Sequence, residues 1–116
     1  MKFVLKSLSL MKGGEIFVPK IPSVKITDLA RAILPGRIHK IIGARPGEKI
    51  AEILITEDES KNTQEFKDYY IINSEILGKL NKDKHKLKGF EYNSATNKYF
   101  LDEKKIRALC EKLKLI

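Results

Sequence analysis

Glycine and proline punctuate the first half of this chain so closely that no long regular element fits there. Gly13-Gly14, Pro19, Pro22, Pro35-Gly36 and Pro46-Gly47 each fall between short apolar stretches. Proline donates to neither a helix nor a ladder, and glycine commonly follows a helix end. The apolar runs between these breaks stay far below the ~20 residues of a membrane-spanning helix. Short helices and strands around a modest core are what the pattern permits. At 116 residues there is room for one domain or part of one. A chain of this size hides about two-thirds of its unfolded surface. A dinucleotide-binding domain and a substrate domain do not both fit.

Hydrophobic residues make up 42% and charged residues 33%, which argues against a disordered tail. The net charge is +8, from 23 Lys and Arg against 15 Asp and Glu. That opens the question of a polyanion: nucleic acid, an anionic membrane or a phosphorylated ligand. The competing reading is a general lysine bias, since net charge speaks to solubility and not to fold. A single cysteine, Cys110, excludes an internal disulfide and a cysteine-cluster zinc site. The opening MKFVLKSLSLMKGGE is interrupted by Lys6 and leads to no clean cleavage site, so a signal peptide is rejected and a cytoplasmic protein is expected.

Periodicity places the elements. Residues 2–12 read as an amphipathic helix with Phe3, Val4, Leu8 and Met11 near one face. Glu15–Val18 reads as a strand. Thr27 suits the N-cap of a helix whose stripe is Leu29, Ala32 and Ile33, stopped by Pro35-Gly36. Lys40–Ile42 reads as a second strand, and Arg45-Pro46-Gly47 as a turn feeding a helix from Glu48 to Leu54. Glu57-Asp58-Glu59 reads as an acidic loop and Asp68–Ile72 as a strand. A helical turn over 74–80, a basic loop over 79–88, a short strand Phe90–Tyr92 and a turn-rich stretch Asn93–Asn97 follow. Asp102–Leu115 is a strong helix, with Ile106, Leu109, Cys110 and Leu113 on one face and Asp102 and Glu103 at its start. The class is mixed, α/β or α+β, a single domain over 1–116.

The sharpest chemical feature is Gly43-Ala44-Arg45-Pro46-Gly47-Glu48-Lys49, between the expected strand and the expected helix. A helix start presents free N–H groups and a partial positive charge, which suits phosphate. Pro46 is cheap at a helix start, and Gly47 lets a ligand approach the backbone. The Arg45 guanidinium can grip two phosphate oxygens. Glu48 can accept from sugar hydroxyls if it points away from the phosphate. The bland alternative is a capped turn with a surface salt bridge.

Other features carry less. His39 and His85 have no Cys or carboxylate at ligand spacing, so no metal site is expected. Cys110 sits on an apolar helix face, a core position more than a nucleophile. The triplet 57–59 lacks the alternation of a calcium loop. The basic stretch 79–88 has no interleaved aromatic for stacking on bases, so it is read as a solvated loop and no nucleic-acid partner is expected from it. Tyr69 and Tyr70 alternate in a strand, one inward and one outward. No Gly-x-Gly-x-x-Gly follows a strand. No Tyr is followed four residues later by Lys; Tyr69, Tyr70, Tyr92 and Tyr99 lead to Asn73, Ser74, Thr96 and Glu103.

The segments in order form a recognisable set. Gly13-Gly14-Glu15-Ile16-Phe17-Val18-Pro19-Lys20-Ile21-Pro22-Ser23 comes first, then Thr27-Asp28-Leu29-Ala30, then Ile42 through Lys49 and Ile55-Thr56-Glu57-Asp58-Glu59. Glu65-Phe66-Lys67-Asp68-Tyr69-Tyr70 and Glu91-Tyr92-Asn93-Ser94 through Asn97 complete it. This order resembles the C-terminal portion of the UDP-N-acetylglucosamine 4,6-dehydratases, including the inverting enzymes that also epimerise at C5, within the extended short-chain dehydrogenase/reductase superfamily. The likeness is dense over 2–72 and thinner over 89–113. Ala44, Ala51 and Lys67 depart from the residues usual in that family.

The resemblance implies a substrate-binding lobe that closes over a UDP-sugar, used in surface-polysaccharide or glycan biosynthesis. It implies Arg45 on the diphosphate and Glu48 on a ribose hydroxyl, and Arg45, Pro46, Gly47 and Glu48 together are the expected substrate-binding residues. NAD or NADP is implied for the full-length family enzyme, but no cofactor is expected in this chain. The Rossmann domain with its catalytic Tyr and Lys is missing from these residues, so the isolated chain is expected to be an inactive fragment, completed in cis or trans, with a homo-oligomer as a further expectation. The alternatives are a stand-alone binding module and a basic nucleic-acid-binding domain.

Overall fold

The computed structural model describes residues 1–74, 87 and 89–116. The element order is α1 (Lys2–Leu10), β1 (Ile16–Pro19), α2 (Ile26–Ile33), β2 (Ile53–Ile55), α3 (Glu57–Ser60), β3 (Thr63–Glu65), β4 (Tyr69–Ile72), β5 (Tyr92–Asn93) and α4 (Glu103–Lys112). The mixed class expected from the sequence is what forms. The chain makes two compact units, one from Met1–Lys20 with Ile53–Tyr92, the other from Ile21–Glu52 with Asn93–Ile116. All but Ser74 of the expected turn over 74–80, and most of the basic loop 79–88, His85 included, lie outside the described residues.

In the first unit an antiparallel sheet has the order β1-β4-β3. Val18 pairs with Tyr70 and Ile16 with Ile72, while Thr63 faces Ile72 from the other side. The two-residue period of a strand therefore puts Val18, Tyr70, Ile72 and Thr63 on one face. That face is the core: Val18, Ile55, Tyr70, Ile72 and Tyr92 are buried together, with Leu87 and Phe90 against them. Tyr69 takes the opposite face, as the alternation requires. There it meets Phe3, Phe17 and Phe66, with ring centroids 5.9, 6.2 and 4.9 Å away. The Lys6 ammonium lies 4.7 Å from the Tyr69 ring. Phe3 is half-buried by this contact, but Val4, Leu8 and Met11, expected on the same helix face, are exposed.

The second unit packs α2 against α4. Ala32, Leu101, Ile106 and Cys110 are buried, with Val24 and Leu29 alongside. Arg107 donates through Nη1 to the Ala32 carbonyl, one of the orphan acceptors at the end of α2. Asp102 caps α4 by accepting from the Lys105 N–H at 2.8 Å. The helix stops at Lys112 and not at Leu115. Leu115 N–H donates to Cys110 O and Lys114 N–H to Glu111 O, with Lys114 at φ 56°. This is a Schellman closure, with lysine where glycine is usual. Leu109 and Leu113, expected on the buried stripe, are exposed.

Several sequence expectations change. Thr27 is not the N-cap of α2; Lys25 holds that position with no side-chain bond, and Thr27 lies inside the helix. Lys40–Ile42 is not a strand, and Ile38, Ile41 and Ile42 are exposed. A strand needs a ladder partner for its backbone groups, and none lies beside this stretch among the described residues. The helix expected from Glu48 to Leu54 is absent. Ile53–Ile55 forms β2 and pairs with β5, because β-branched residues favour the pleated surface over a two-turn helix with a costly nucleus. The acidic triplet 57–59 is not a loop but the body of α3, started by a capping box between Thr56 and Glu59.

Candidate functional site

Arg45, Pro46, Gly47 and Glu48 form a tight turn in the second unit. Glu48 N–H donates to Arg45 O at 3.0 Å. Pro46 stands second and Gly47 third with φ 86°, the residue pattern of a type II turn. A Cβ at Gly47 would meet no atom within 4 Å, so the positive φ is what requires glycine here. The Glu48 side chain closes the turn from outside: Oε2 accepts from Arg45 N–H at 2.8 Å, and Oε1 lies 3.9 Å from Arg45 Nε.

This local structure is the capped turn with a salt bridge, not a helix start. The aligned N–H groups and dipole that a helix would offer a phosphate are therefore missing, and the case for anion binding moves onto the Arg45 side chain. That side chain is 80% exposed. The exposed stretch 37–50 holds Arg37, Lys40, Arg45 and Lys49 against Glu48 as its one acid. Such a stretch attracts anions, and a planar guanidinium gives the fork that phosphate oxygens fit.

The segment is tied at its far end. Glu52 N–H donates to Ser94 Oγ, and Ser94 N–H donates to Glu52 O, each at 2.9 Å. Asn93 Oδ1 accepts from Ala95 N–H and Thr96 N–H, both at 2.8 Å, and so folds the turn that presents Ser94. Sequence reading placed a turn here without giving Ser94 a role. The signal was the Asn before it, whose short amide side chain bonds its own backbone two residues on.

Other candidates resolve into structure. Cys110 is buried in the second core with Ala32, Leu101 and Ile106. Asp58 pairs with Lys61 at 2.8 Å, which holds its carboxyl below the ordinary range. Glu59 is held low by hydrogen bonds from Thr56, backbone first and hydroxyl second. Burial, with Glu65 and Tyr92 nearby, pushes the Tyr70 phenol above its usual 10.0. His39 is exposed, and among the described residues no three His, Cys, Asp or Glu cluster to hold a metal. In the first unit a shallow cavity of about 200 Å³ opens on the outer sheet face, lined by Lys12, Phe17, Gln64, Phe66 and Tyr69 among others. None of Arg45 to Glu48 lines it.

Residues 1–74 match a family model described as polysaccharide biosynthesis protein. The chain belongs to that family. The matched region contains both long motifs, Gly13–Ser23 and Ile42–Lys49. The chain is 47% identical, over 90% of its length, to a UDP-N-acetylglucosamine 4,6-dehydratase (inverting) of Campylobacter jejuni. It is 38% identical, over 97% of its length, to an uncharacterised membrane protein of Methanocaldococcus jannaschii. In each case it spans 35% of the relative's length. Among solved structures it resembles Pen from Bacillus thuringiensis with a TM-score of 0.77 at 29% identity, covering 97% of this chain and 34% of that one. The resemblance to the UDP-N-acetylglucosamine 4,6-dehydratases read from the sequence thus holds over most of the chain. Among the described residues no helix is long and apolar enough to cross a membrane.

Proposed function

We propose that this chain is the UDP-sugar-binding lobe of a nucleotide-sugar 4,6-dehydratase that works in the cytoplasm in polysaccharide or glycan biosynthesis. The observation that carries the reading is the 47% identity to a dehydratase over 90% of the chain, with the Arg45–Glu48 turn inside residues 1–74 that match the family model. In this reading the exposed Arg45 guanidinium grips the diphosphate through paired N–H donors. Glu48, already turned back on the Arg45 backbone, accepts from a ribose hydroxyl. Pro46 and Gly47 fix the spacing between the two groups.

The residues present do not fit a nicotinamide dinucleotide. That cofactor needs a parallel βαβ unit with a glycine-rich turn at the helix start. The three-stranded sheet here is antiparallel, and no described strand leads through such a turn into a helix. No hydride step is therefore assigned to this chain. Its part is to bind and orient the nucleotide, with a dinucleotide-binding domain supplied in cis or trans.

Isothermal titration of the chain with UDP tests the reading. Binding that weakens at least tenfold in Arg45→Ala supports it. Absence of binding at millimolar UDP, or binding indifferent to Arg45→Ala, rejects it.

A further inference from the structure

We infer that Ser94 is a positioning residue for the Arg45–Glu48 turn, acting through its reciprocal hydrogen bonds with Glu52. The inference rests on the nucleotide-binding reading above and names what holds that site in place. The stretch from 37 to 50 is exposed throughout and forms no helix or strand. Inside it, the turn bond from Glu48 N–H to Arg45 O fixes local shape but not position. Position must come from the ends. At one end Gly36 leaves α2 at φ 75°, and Arg37 N–H reaches Leu34 O at a long 3.4 Å. At the other end the chain enters β2 at Ile53, which β5 holds, and the tie nearest the turn is short and double: Glu52 N–H to Ser94 Oγ and Ser94 N–H to Glu52 O.

Three residues separate Glu48 from Glu52, so the Ser94 tie acts close to the candidate ligand groups. The tie is itself pre-set. Asn93 is buried, and its side-chain oxygen fixes the turn through Ala95 and Thr96 independently of the Ser94 hydroxyl. Removing the Ser94 hydroxyl leaves the Glu52 N–H without that acceptor and loosens the end of the segment. A ligand gripping Arg45 must then also order the segment, and that ordering weakens binding.

The test uses the 116-residue chain, UDP as the probe, and Ser94→Ala, Ser94→Thr and Arg45→Ala as variants. Ser94→Ala is expected to weaken UDP binding about threefold to tenfold, the worth of one hydrogen bond. Ser94→Thr, which keeps a hydroxyl, is expected to bind within about twofold of the parent. Hydrogen exchange is expected to quicken at the bonded amides of Arg45, Glu48 and Glu52 in Ser94→Ala while α4 keeps its protection, a pattern that general unfolding does not give. If UDP binds the parent and Arg45→Ala abolishes it, yet Ser94→Ala binds and exchanges like the parent, the positioning role is wrong and the binding reading stands. If the parent gives no heat with UDP, the binding reading fails and this inference fails with it.

Discussion

The Glu48 carboxylate accepts a 2.8 Å hydrogen bond from the Arg45 backbone N–H and stands 3.9 Å from the guanidinium of the same residue. One side chain thus braces the turn and offsets part of the charge that would attract a phosphate. A gain from removing that charge and a loss from removing a sugar contact should therefore separate in one variant. Glu48→Gln keeps an oxygen for the Arg45 N–H and drops the negative charge. It is expected to bind inorganic pyrophosphate more tightly than the parent, and to lose part of the preference for UDP over pyrophosphate. Because the Arg45 side chain is 80% exposed, both affinities should fall as salt rises, with a screening length of about 10 Å at 0.1 M shrinking to about 3 Å at 1 M. Competition titrations at low and high salt measure this. Affinity that ignores salt would remove Arg45 from the contact.

Acid should loosen the first unit through the α3 capping box. Hydrogen bonds from Thr56 hold the folded Glu59 carboxyl below its ordinary 4.5. A depressed folded value means stability that is present above the unfolded value and is lost as pH falls through the folded one. The Glu59 contribution is thus complete at pH 7 and fades below about 4.5. Glu15, held low chiefly by the Gly13 N–H, acts in the same direction in this unit, and Asp102, held low chiefly by the Lys105 N–H, does so in the second unit. Urea unfolding from pH 7 to pH 3 is expected to show a falling midpoint in the parent and a shallower fall in Glu59→Gln, which starts lower. Thr56→Ala should cost about 1 kcal/mol at pH 7, the usual worth of an N-cap. Parallel pH curves for parent and Glu59→Gln would show that this box does not set the acid response.

That box was written in the sequence as Thr-x-x-Glu, yet the acidic run made the segment look like a loop. α4 was easier, because an Asp at the cap and an apolar stripe at helical spacing point to the same residues. Its end was not, since Lys114 takes a left-handed backbone that sequence assigns to glycine. The alternation Tyr69-Tyr70 was legible because a strand leaves only two faces. β3 gave no signal: Thr63-Gln64-Glu65 is polar, and only pairing with β4 makes Thr63 a core residue. The candidate site was half legible. Arg-Pro-Gly-Glu encodes its turn locally, whereas the helix expected after it lost to pairing between Ile53–Ile55 and β5. The Ser94 tie joins residues 42 positions apart, which no local pattern reveals.

The resemblance to the 4,6-dehydratases implies that dehydrating a nucleotide-sugar needs a dinucleotide cradle and a Tyr–Lys pair. Among these 116 residues no Tyr stands four before a Lys, and no Gly-x-Gly-x-x-Gly occurs. An exposed guanidinium and a carboxylate on a turn can hold a nucleotide, but neither can accept a hydride. The purified chain, given UDP-N-acetylglucosamine and NAD or NADP, is therefore expected to form no 4-keto product while still binding UDP. Absorbance of the 4-keto sugar in alkali and mass spectrometry of the nucleotide pool read the outcome. Product above the no-protein control would mean that these residues carry a catalytic arrangement that neither the turn nor the sheet accounts for.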